Sequence, residues 1–395
     1  MVEDLKGLLE IGDVAKIKQI MEAENLEIRD GKLIAKNIQD CEEKADYWDK
    51  QQHVRKIGLN SVYGAVTNEG SMFVDVRMGQ SCTLTGRCTT RHMGSVINQT
   101  IIGSYELGEM IVYGDTDSIY FTIPDNIKKT INRDEFIELS NTVASIANES
   151  FADFYKNTFN VSKTESKVIK CEREICADTT YFLKKKRYAA LVYDEKNRRL
   201  DTGNKAGKLK VMGLEIKRSD CPAWVQHKLE DTLYNVLAYK PEFSEIVSEI
   251  RSWRHDFLQQ DKWKMGIPKR VNKLTHYTDC VERHVQGITI PGHVRAAINW
   301  NKMVKNNNDK VSPLILDGGK VIVCKLLPNV FKIDSIAYPV DMEYLPEWFT
   351  TLPFDVDAMI NVAIDSKVKN IFGQLGIDLQ STKINPNHVD LYSEI

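Results

Sequence analysis

The sequence has no long apolar segment. No run of apolar residues approaches the roughly 20 that a membrane-spanning helix requires, although 42% of the 395 residues are hydrophobic. The N-terminus is acidic and amphipathic, and it lacks the basic start and the apolar core of a secretory signal. These absences predict a soluble, cytoplasmic protein without a membrane partner. The length favours two or three domains rather than one.

Closely paired cysteines are also absent. The eight cysteines include no Cys-x-x-Cys pair, and their spacing does not match a zinc site. Disulfide bonds are rare in the cytosol, where thiols are kept reduced. The sequence therefore predicts reduced structural thiols.

The chain lacks an overall excess of basic residues, because its net charge is only −2. The charges are nevertheless unevenly distributed. Residues 184–218 hold 12 Lys or Arg against four Asp or Glu, and residues 262–302 hold eight against two. Residues 1–48 and 340–395 are acidic, by five and six charges respectively. Two basic blocks between acidic ends are typical of a track that binds a nucleic-acid duplex.

Hydrophobic periodicity predicts both helices and strands along the chain. The predicted helices cover residues 1–28, 37–65, 80–101, 134–158, 222–238 and 242–260. A turn is expected at Asp30-Gly31. The predicted strands are a hairpin at 110–123, the segments 167–176 and 186–194, and a β-rich insertion near 313–338.

The strongest local signal is Tyr113-Gly114-Asp115-Thr116-Asp117-Ser118, a polar turn between two apolar runs. Nucleotidyl transfer needs two hard cations about 4 Å apart, and Mg²⁺ takes carboxylate oxygens as ligands. Residues i and i+2 of a strand point to the same face, so Asp115 and Asp117 could project from one tip. The alternative is an ordinary surface turn. An EF-hand is excluded because Ile119 and Tyr120 stand where further ligands and a glycine are required.

A second signal is Lys56-Ile57-Gly58-Leu59-Asn60-Ser61-Val62-Tyr63-Gly64. On a helix, Lys56, Asn60 and Tyr63 fall within an arc of about 60°. Lysine and asparagine on this face could bind a triphosphate, and the tyrosine ring could lie under a base pair. Gly64 would let that base pair approach the backbone. The alternative is a solvated helix face.

In this order, the two motifs resemble motifs B and C of B-family DNA polymerases. Lys184-Lys185-Lys186-Arg187-Tyr188 resembles the KKRY element of that family, and residues 208–215 resemble the stretch that follows it. Three further segments are similar to polymerases of T4-like phages: Asp75-Val76-Arg77, Cys171-Glu172-Arg173-Glu174 and Pro291-Gly292-His293-Val294-Arg295. The resemblance covers residues 50–375.

This resemblance implies an α+β fold class, with an antiparallel palm sheet, helical fingers and a mainly helical thumb. The fingers would occupy residues 1–65, the palm 66–221, and the thumb with the C-terminal tail 222–395.

The resemblance also implies roles for individual residues. Asp115 and Asp117 would be the catalytic carboxylates. Asp115 would be a ligand of the two Mg²⁺ ions, Asp117 would be a further ligand or an orienting carboxylate beside them, and Glu174 would lie near the metals or form a structural ion pair. Lys56 and Asn60 would contact the incoming dNTP, and Tyr63 and Gly64 would line the nascent base pair. Primer-template DNA would contact Lys185, Lys186, Arg187, Tyr188, Lys208, Lys210 and Arg295. The alternative for residues 184–187 is a solvated basic turn.

Motif A of this family, written DxxSLYP, is absent from the sequence, and so are the exonuclease carboxylates. The similar string Ser118-Ile119-Tyr120 belongs to the hairpin. We therefore expect the chain to be inactive alone and to need an N-terminal polymerase polypeptide that supplies motif A and the exonuclease. A start with Met between motifs A and B favours a naturally split phage polymerase, and a truncated form or a degenerate remnant is the alternative.

Three further alternatives stay open. A degenerate remnant would serve as a noncatalytic DNA-binding or assembly subunit. The acidic residues 1–46 would dock the missing half, or form a plain fingers hairpin. The tail at 387–395 would bind a sliding clamp, or have no role. A reverse transcriptase or an RNA polymerase is disfavoured, because Thr116 separates the two aspartates.

Overall fold

The computed structural model describes residues 14–23, 26–29, 32–35 and 38–377. The chain divides into two compact units, residues 1–122 and 123–395. Neighbouring strands in the described residues pair antiparallel, and helices accompany each sheet. The predicted α+β class is confirmed. Over these same residues, no helix is both long and apolar enough to span a bilayer.

The described part of the first unit consists of helices and two hairpins. Its elements are α1 Val14–Ala23, β1 Leu26–Arg29, β2 Lys32–Ala35, α2 Ile38–Thr67, α3 Val76–Ile102, β3 Ile111–Asp115 and β4 Ser118–Phe121. The helix predicted over 1–28 is wrong at its end, because β1 pairs with β2. Leu-Glu-Ile-Arg alternates apolar and charged residues, which suits a strand. The predicted turn at Asp30-Gly31 lies outside the described residues.

Helix α3 begins and ends at residues suited to those positions. The side chain of Asp75 accepts a hydrogen bond from the Arg77 amide at its start, and Gly103 ends it with a φ of 82°. Its C-terminal half buries Val96 and Ile97. A Cβ at Gly94 would lie 2.6 Å from the Leu107 side chain, so glycine lets the helix pack closely on the segment before the β3–β4 hairpin.

The second unit is built on two antiparallel sheets. Its longer helices and its strands are α4 Arg133–Phe159, β5 Ile175–Lys184, β6 Arg187–Glu195, β7 Arg198–Arg199, β8 Lys208–Met212, α5 Ala223–Tyr239, α6 Phe243–Leu258, β9 Ile267–Arg270, α7 Leu274–Glu282, α8 Gly292–Asn306, β10 Lys320–Lys325, β11 Ser335–Pro339, α9 Val356–Ile360 and α10 Ser366–Phe372. A π turn at Asn361–Asp365 joins α9 to α10. Short helices lie at Asp125–Lys128 and Glu347–Thr350, with 3₁₀ turns at Glu165–Val168, Glu215–Lys217, Lys262–Met265 and Gly373–Leu375.

One hydrophobic core joins the sheets and helices of this unit. In the first sheet β6 lies between β5 and β8, and in the second β10 lies between β9 and β11. Leu191 of β6, Leu229 of α5, Trp300 of α8 and Phe372 of α10 are all buried in this core. The core therefore runs across the predicted palm–thumb border at residue 221. The division into fingers, palm and thumb stays a prediction.

The strand predicted at 167–176 is wrong over most of its length, because β5 begins only at Ile175. The amide side chain of Asn148, on α4, accepts a hydrogen bond from the backbone N–H of Cys171 and donates one to its carbonyl, both at 2.8 Å. These two bonds take the place of a strand ladder at Cys171. Glu174 consequently lies just before the strand and not within it.

All eight cysteines lie in the described residues, and each is a free thiol there.

Candidate functional site

The two aspartates of the strongest motif lie at the tip of the β3–β4 hairpin. Asp115 pairs with Ser118, so Thr116 and Asp117 form a two-residue turn. Asp115 is half-buried, whereas Asp117 is exposed. Thr116 has a φ of 43°, a left-handed conformation that is unusual for a β-branched residue. Asp115 and Asp117 were expected to point to one face because residues i and i+2 of a strand do so. Asp117 lies in the turn and not in a strand, so this alternation does not determine the direction of its side chain.

Hydrogen bonds hold this turn in place. The hydroxyl of Thr90, on α3, donates to the carbonyl of Thr116 at 3.0 Å. The Thr116 hydroxyl donates to Oδ1 of Asp115, and the Ser118 hydroxyl donates to the Asp115 carbonyl, both at 3.2 Å. The bond from Thr90 ties the tip of the hairpin to a helix of the same unit. No feature of the sequence identifies Thr90 as a contact of this turn.

The turn is suited to a hard cation but does not complete a metal site. Mg²⁺ is commonly bound by one or two carboxylates together with substrate phosphates and water, and Asp115 and Asp117 fit that pattern. Over residues 14–23, 26–29, 32–35 and 38–377, no three His, Cys, Asp or Glu side chains come together to hold a metal. A second ion would therefore need another carboxylate.

The predicted dNTP-binding residues lie on helix α2. Lys56 and Asn60 are exposed on one side, which borders a shallow groove of about 430 Å³. The groove is lined by Trp48, Gln51, Gln52, Arg55, Lys56, Leu59 and Asn60. Tyr63 is 41% exposed, and beyond the neighbouring residues and backbone of α2 itself, no described atom lies within 4 Å of the position a Cβ would take at Gly64. The groove adds Trp48 and Arg55 to this surface, and the spacing of Trp48, Gln52 and Lys56 at intervals of four residues was the signal that could have identified Trp48.

The predicted DNA-binding residues Lys185 and Lys186 form the turn between β5 and β6. Lys184 pairs with Arg187 across that turn. Both lysines of the turn are exposed, and Lys186 has a φ of 63°. Gly213 lies against the turn, because a Cβ there would stand 2.0 Å from the Lys186 carbonyl oxygen. The basic turn thus has a defined backbone, which its composition alone did not predict.

Strand register groups three more of the predicted DNA-binding residues. Residues directly opposite each other on antiparallel strands point to the same side of the sheet. Lys210 lies opposite Ala190, and Lys208 lies opposite Val192. Since Tyr188 is two residues from Ala190, Tyr188, Lys208 and Lys210 share one face. Lys208 is exposed, Lys210 is half-buried and Tyr188 is buried.

The remaining predicted site residues are Arg187, Arg295 and Glu174, all in the second unit. Arg187 points to the opposite side from Tyr188 and forms an ion pair with Glu215. Arg295 pairs with Asp334 at 2.5 Å. Glu174 is exposed in the second unit, and the neighbouring Arg173 forms a buried ion pair. The roles assigned to Arg187, Arg295 and Glu174 stay predictions.

A comparison with protein families identifies the chain. The family model for DNA polymerase family B matches residues 27–286, about two thirds of the 395 residues. The chain belongs to this family. Its two motif segments, the β3–β4 hairpin and the C-terminal half of α2, both lie within the matched range.

Curated family B relatives include several viral polymerases. The chain is 28% identical over 322 residues to the DNA-directed DNA polymerase of Enterobacteria phage T4, covering 76% of this chain and 34% of that protein. It is 26% identical over 302 residues to the DNA-directed DNA polymerase of Escherichia phage RB69, covering 72% and 32%. It is also 26% identical over 288 residues to a DNA polymerase of Paramecium bursaria Chlorella virus NY2A. The predicted likeness to B-family polymerases of T4-like phages is confirmed.

This family B chain spans about a third of the length of the two phage relatives. Two predicted contact regions lie wholly or partly outside the described residues. These are the tail at 387–395, assigned to a sliding clamp, and the acidic segment at 1–46, assigned to docking. Both assignments stay predictions.

Proposed function

We propose that this chain is the part of a template-directed DNA polymerase that contributes the motif C carboxylates, the dNTP-binding helix and a primer-template surface. The reaction is transfer of a nucleotide from dNTP to the primer 3′-OH. The observation that carries this proposal is the β3–β4 hairpin, which presents Asp115 and Asp117 at one tip in a chain of DNA polymerase family B.

The hairpin would supply the metal ligands and hold them in a fixed position. Asp115 and Asp117 would hold Mg²⁺, which when bound activates the 3′-OH and neutralises the leaving pyrophosphate. Thr90 fixes the turn backbone through the Thr116 carbonyl. Catalysis of phosphoryl transfer depends mainly on positioning and charge stabilisation, so a fixed turn supports this role.

Helix α2 would receive the incoming nucleotide. Lys56 offers a positive charge to the triphosphate, and Asn60 offers hydrogen-bonding groups one turn further along the same groove. Tyr63 and the open space at Gly64 follow on the helix and would accommodate the nascent base pair. Nucleotide binding therefore rests on one helix surface whose polar groups are accessible to solvent.

The chain would need further polymerase segments for activity. The sequence contains no DxxSLYP motif, and the hairpin offers two carboxylates where a two-metal site needs more. Helix α2 is exposed at every side chain from 41 to 64 except the half-buried Gln51. Its apolar residues Val54 and Val62, which do not line the groove of Lys56 and Asn60, are 65% and 63% exposed. Apolar surface of this kind marks an interaction site. We assign it to the N-terminal segments of the polymerase that carry motif A and the exonuclease.

Primer-template DNA would bind along the basic side of the second unit. The exposed lysines of the 185–186 turn and the face that carries Lys208 and Lys210 offer cations to backbone phosphates. Contacts of this kind position the duplex without reading its sequence. Sequence-independent binding is what synthesis on any template requires.

The experiment is complementation followed by a single substitution. This chain is combined with the N-terminal segment of a family B polymerase that carries motif A, and extension of a labelled primer is measured with Mg²⁺ and dNTPs. We expect extension only when both are present. Asp115→Ala should lower extension by at least about a thousandfold and leave the Kd for primer-template DNA unchanged. The exposed Asp125→Ala, matched in chemistry, should retain activity.

Two results would contradict the proposal. Extension at an ordinary rate by this chain alone would show that no further carboxylate is required. Unaltered extension by the Asp115→Ala complex would favour the noncatalytic DNA-binding role in its place.

A further inference from the structure

The basic turn at Lys185-Lys186 is connected to the C-terminal helix α10 through two side chains. Arg187, which follows the turn, forms an ion pair with Oε2 of Glu215. The other carboxylate oxygen of Glu215, Oε1, accepts a hydrogen bond of 3.2 Å from the side-chain amide of Asn370 on α10. Glu215 therefore divides its two oxygens between the strand that carries the turn and the helix.

Two further bonds join β5, the strand before the basic turn, to α10 and to the 3₁₀ turn Gly373–Leu375 that follows it. The hydroxyl of Tyr181, on β5, donates to the carbonyl of Ile371 at 2.8 Å. The side-chain amide of Gln374 donates to the carbonyl of Leu183 at 3.4 Å. Leu183 is two residues before Lys185, so the end of α10 and the 3₁₀ turn after it hold the last residues of β5, while Glu215 holds the first residue of β6. The turn between them is restrained from both sides.

Arg187 depends strongly on this arrangement. Its side chain is 26% exposed, and its Nε is buried without a hydrogen-bond partner among the residues that the structure describes. A guanidinium in that position is stabilised chiefly by its ion pair. Strand alternation points it away from the face of Tyr188, which suits Arg187 to anchor the turn and not to contact DNA.

We propose that Glu215 and Asn370 are positioning residues for DNA binding, which act by fixing the Lys185-Lys186 turn through Arg187. Helix α10, more than 180 residues later in the sequence, thereby influences how tightly the duplex is held. The inference rests on the proposed function, because it takes the two lysines as phosphate contacts. It adds that α10 affects DNA affinity through the contacts of Asn370 and Glu215 with Arg187.

Whether Glu215→Gln tightens or weakens DNA binding distinguishes a positioning role of Glu215 from a purely electrostatic one. This substitution removes a negative charge close to a DNA-binding turn. If Glu215 acted only through its charge, its removal would tighten DNA binding. If Glu215 positions the turn, binding weakens, because Arg187 loses its ion pair and the lysines lose their fixed geometry. We expect about a fivefold rise in Kd.

The experiment measures binding of the full chain to a fluorescently labelled primer-template duplex by anisotropy. Asn370→Ala changes no charge and should raise the Kd in the same direction as Glu215→Gln, by a smaller factor. Asn361→Ala is the matched control, because it makes the same change at an exposed position of the preceding π turn. The double variant should bind no more weakly than Glu215→Gln alone, because both residues act through one connection. Urea unfolding of each variant confirms that it is folded.

Lys186→Ala distinguishes failure of this inference from failure of the proposed function. If the unchanged chain does not bind the duplex, or if Lys186→Ala binds equally well, the proposed DNA surface is wrong and the inference falls with it. If Lys186→Ala weakens binding while Glu215→Gln tightens it or leaves it unchanged, only the positioning role is overturned. Equal effects of Asn370→Ala and Asn361→Ala would also overturn it.

Discussion

The Nδ1 atom of His92, on α3, lies 2.6 Å from the hydroxyl oxygen of Tyr105, in the segment that leads into the β3–β4 hairpin. His92 is 9% exposed, and burial lowers its pKa below the usual 6.5. The unfolded chain therefore takes up a proton at this histidine more readily than the folded chain does.

This pKa shift predicts a pH dependence of stability. The contribution of neutral His92 is complete above pH 6.5 and is lost as the pH falls from there towards the lower pKa of the folded state. We expect the urea midpoint to fall less between pH 7 and pH 5 in His92→Gln than in the unchanged chain. The exposed His255→Gln is the control and should retain the full pH dependence. Identical pH profiles for all three proteins would contradict the prediction.

Thr90→Val should impair synthesis without impairing DNA binding. Valine keeps the shape of threonine but cannot donate to the Thr116 carbonyl, so the turn of the β3–β4 hairpin loses its hydrogen bond to α3. We expect primer extension by the complemented polymerase to fall about three- to tenfold, with an unchanged Kd for primer-template DNA. Thr100→Val is the control, because its hydroxyl donates only to the carbonyl of Val96 within α3. A similar loss in both variants would mean that helix stability, and not this hydrogen bond, matters.

Gly213→Ala should be far more damaging than Gly203→Ala. Both glycines have left-handed backbone angles, with φ of 64° and 69°. A Cβ at Gly203 meets nothing within 4 Å, whereas at Gly213 it would stand 2.0 Å from the Lys186 carbonyl. We expect Gly203→Ala to cost about 1 kcal/mol of unfolding free energy. Gly213→Ala should cost clearly more and should also raise the Kd for DNA. Equal urea midpoints for the two variants would be inconsistent with this contact.

Asp194→Ala should destabilise the second unit strongly. The Arg173–Asp194 ion pair is 2.6 Å long, and its side chains are only 6% and 2% exposed. Removing the carboxylate leaves a buried guanidinium charge uncompensated, which typically costs about 3–5 kcal/mol. Asp125, whose ion pair with Lys128 is largely exposed, provides the control. Denaturant unfolding should show a large loss for Asp194→Ala and little or none for Asp125→Ala.

Sequence patterns predicted those parts of the fold that depend on local periodicity. The β3–β4 hairpin and helices α2 to α6 lie close to the predicted positions, because apolar spacing and capping residues determine them. The backbone conformation at Cys171 could not be predicted from local periodicity. Its backbone bonds go to the side chain of Asn148, 23 residues earlier, and no local signal indicates that pairing.

The candidate site was predictable as a set of residue types but not as an arrangement. The motifs supplied Asp115, Asp117, Lys56 and the basic string as candidates, and their roles stay predictions. They did not indicate Thr90 behind the hairpin or Glu215 behind Arg187, because both contacts join residues that are distant in sequence.

The opposite orientations of Arg187 and Tyr188 affect how strongly DNA binding by this chain should depend on salt concentration. Each phosphate neutralised by a protein cation releases condensed counterions, so log affinity falls with log salt concentration by about 0.9 for each contact. Lys185, Lys186 and Arg187, the three residues of this string predicted to contact DNA, suggest three such contacts. With the Arg187 guanidinium committed to Glu215, these three residues should contribute the counterion release of only two lysines.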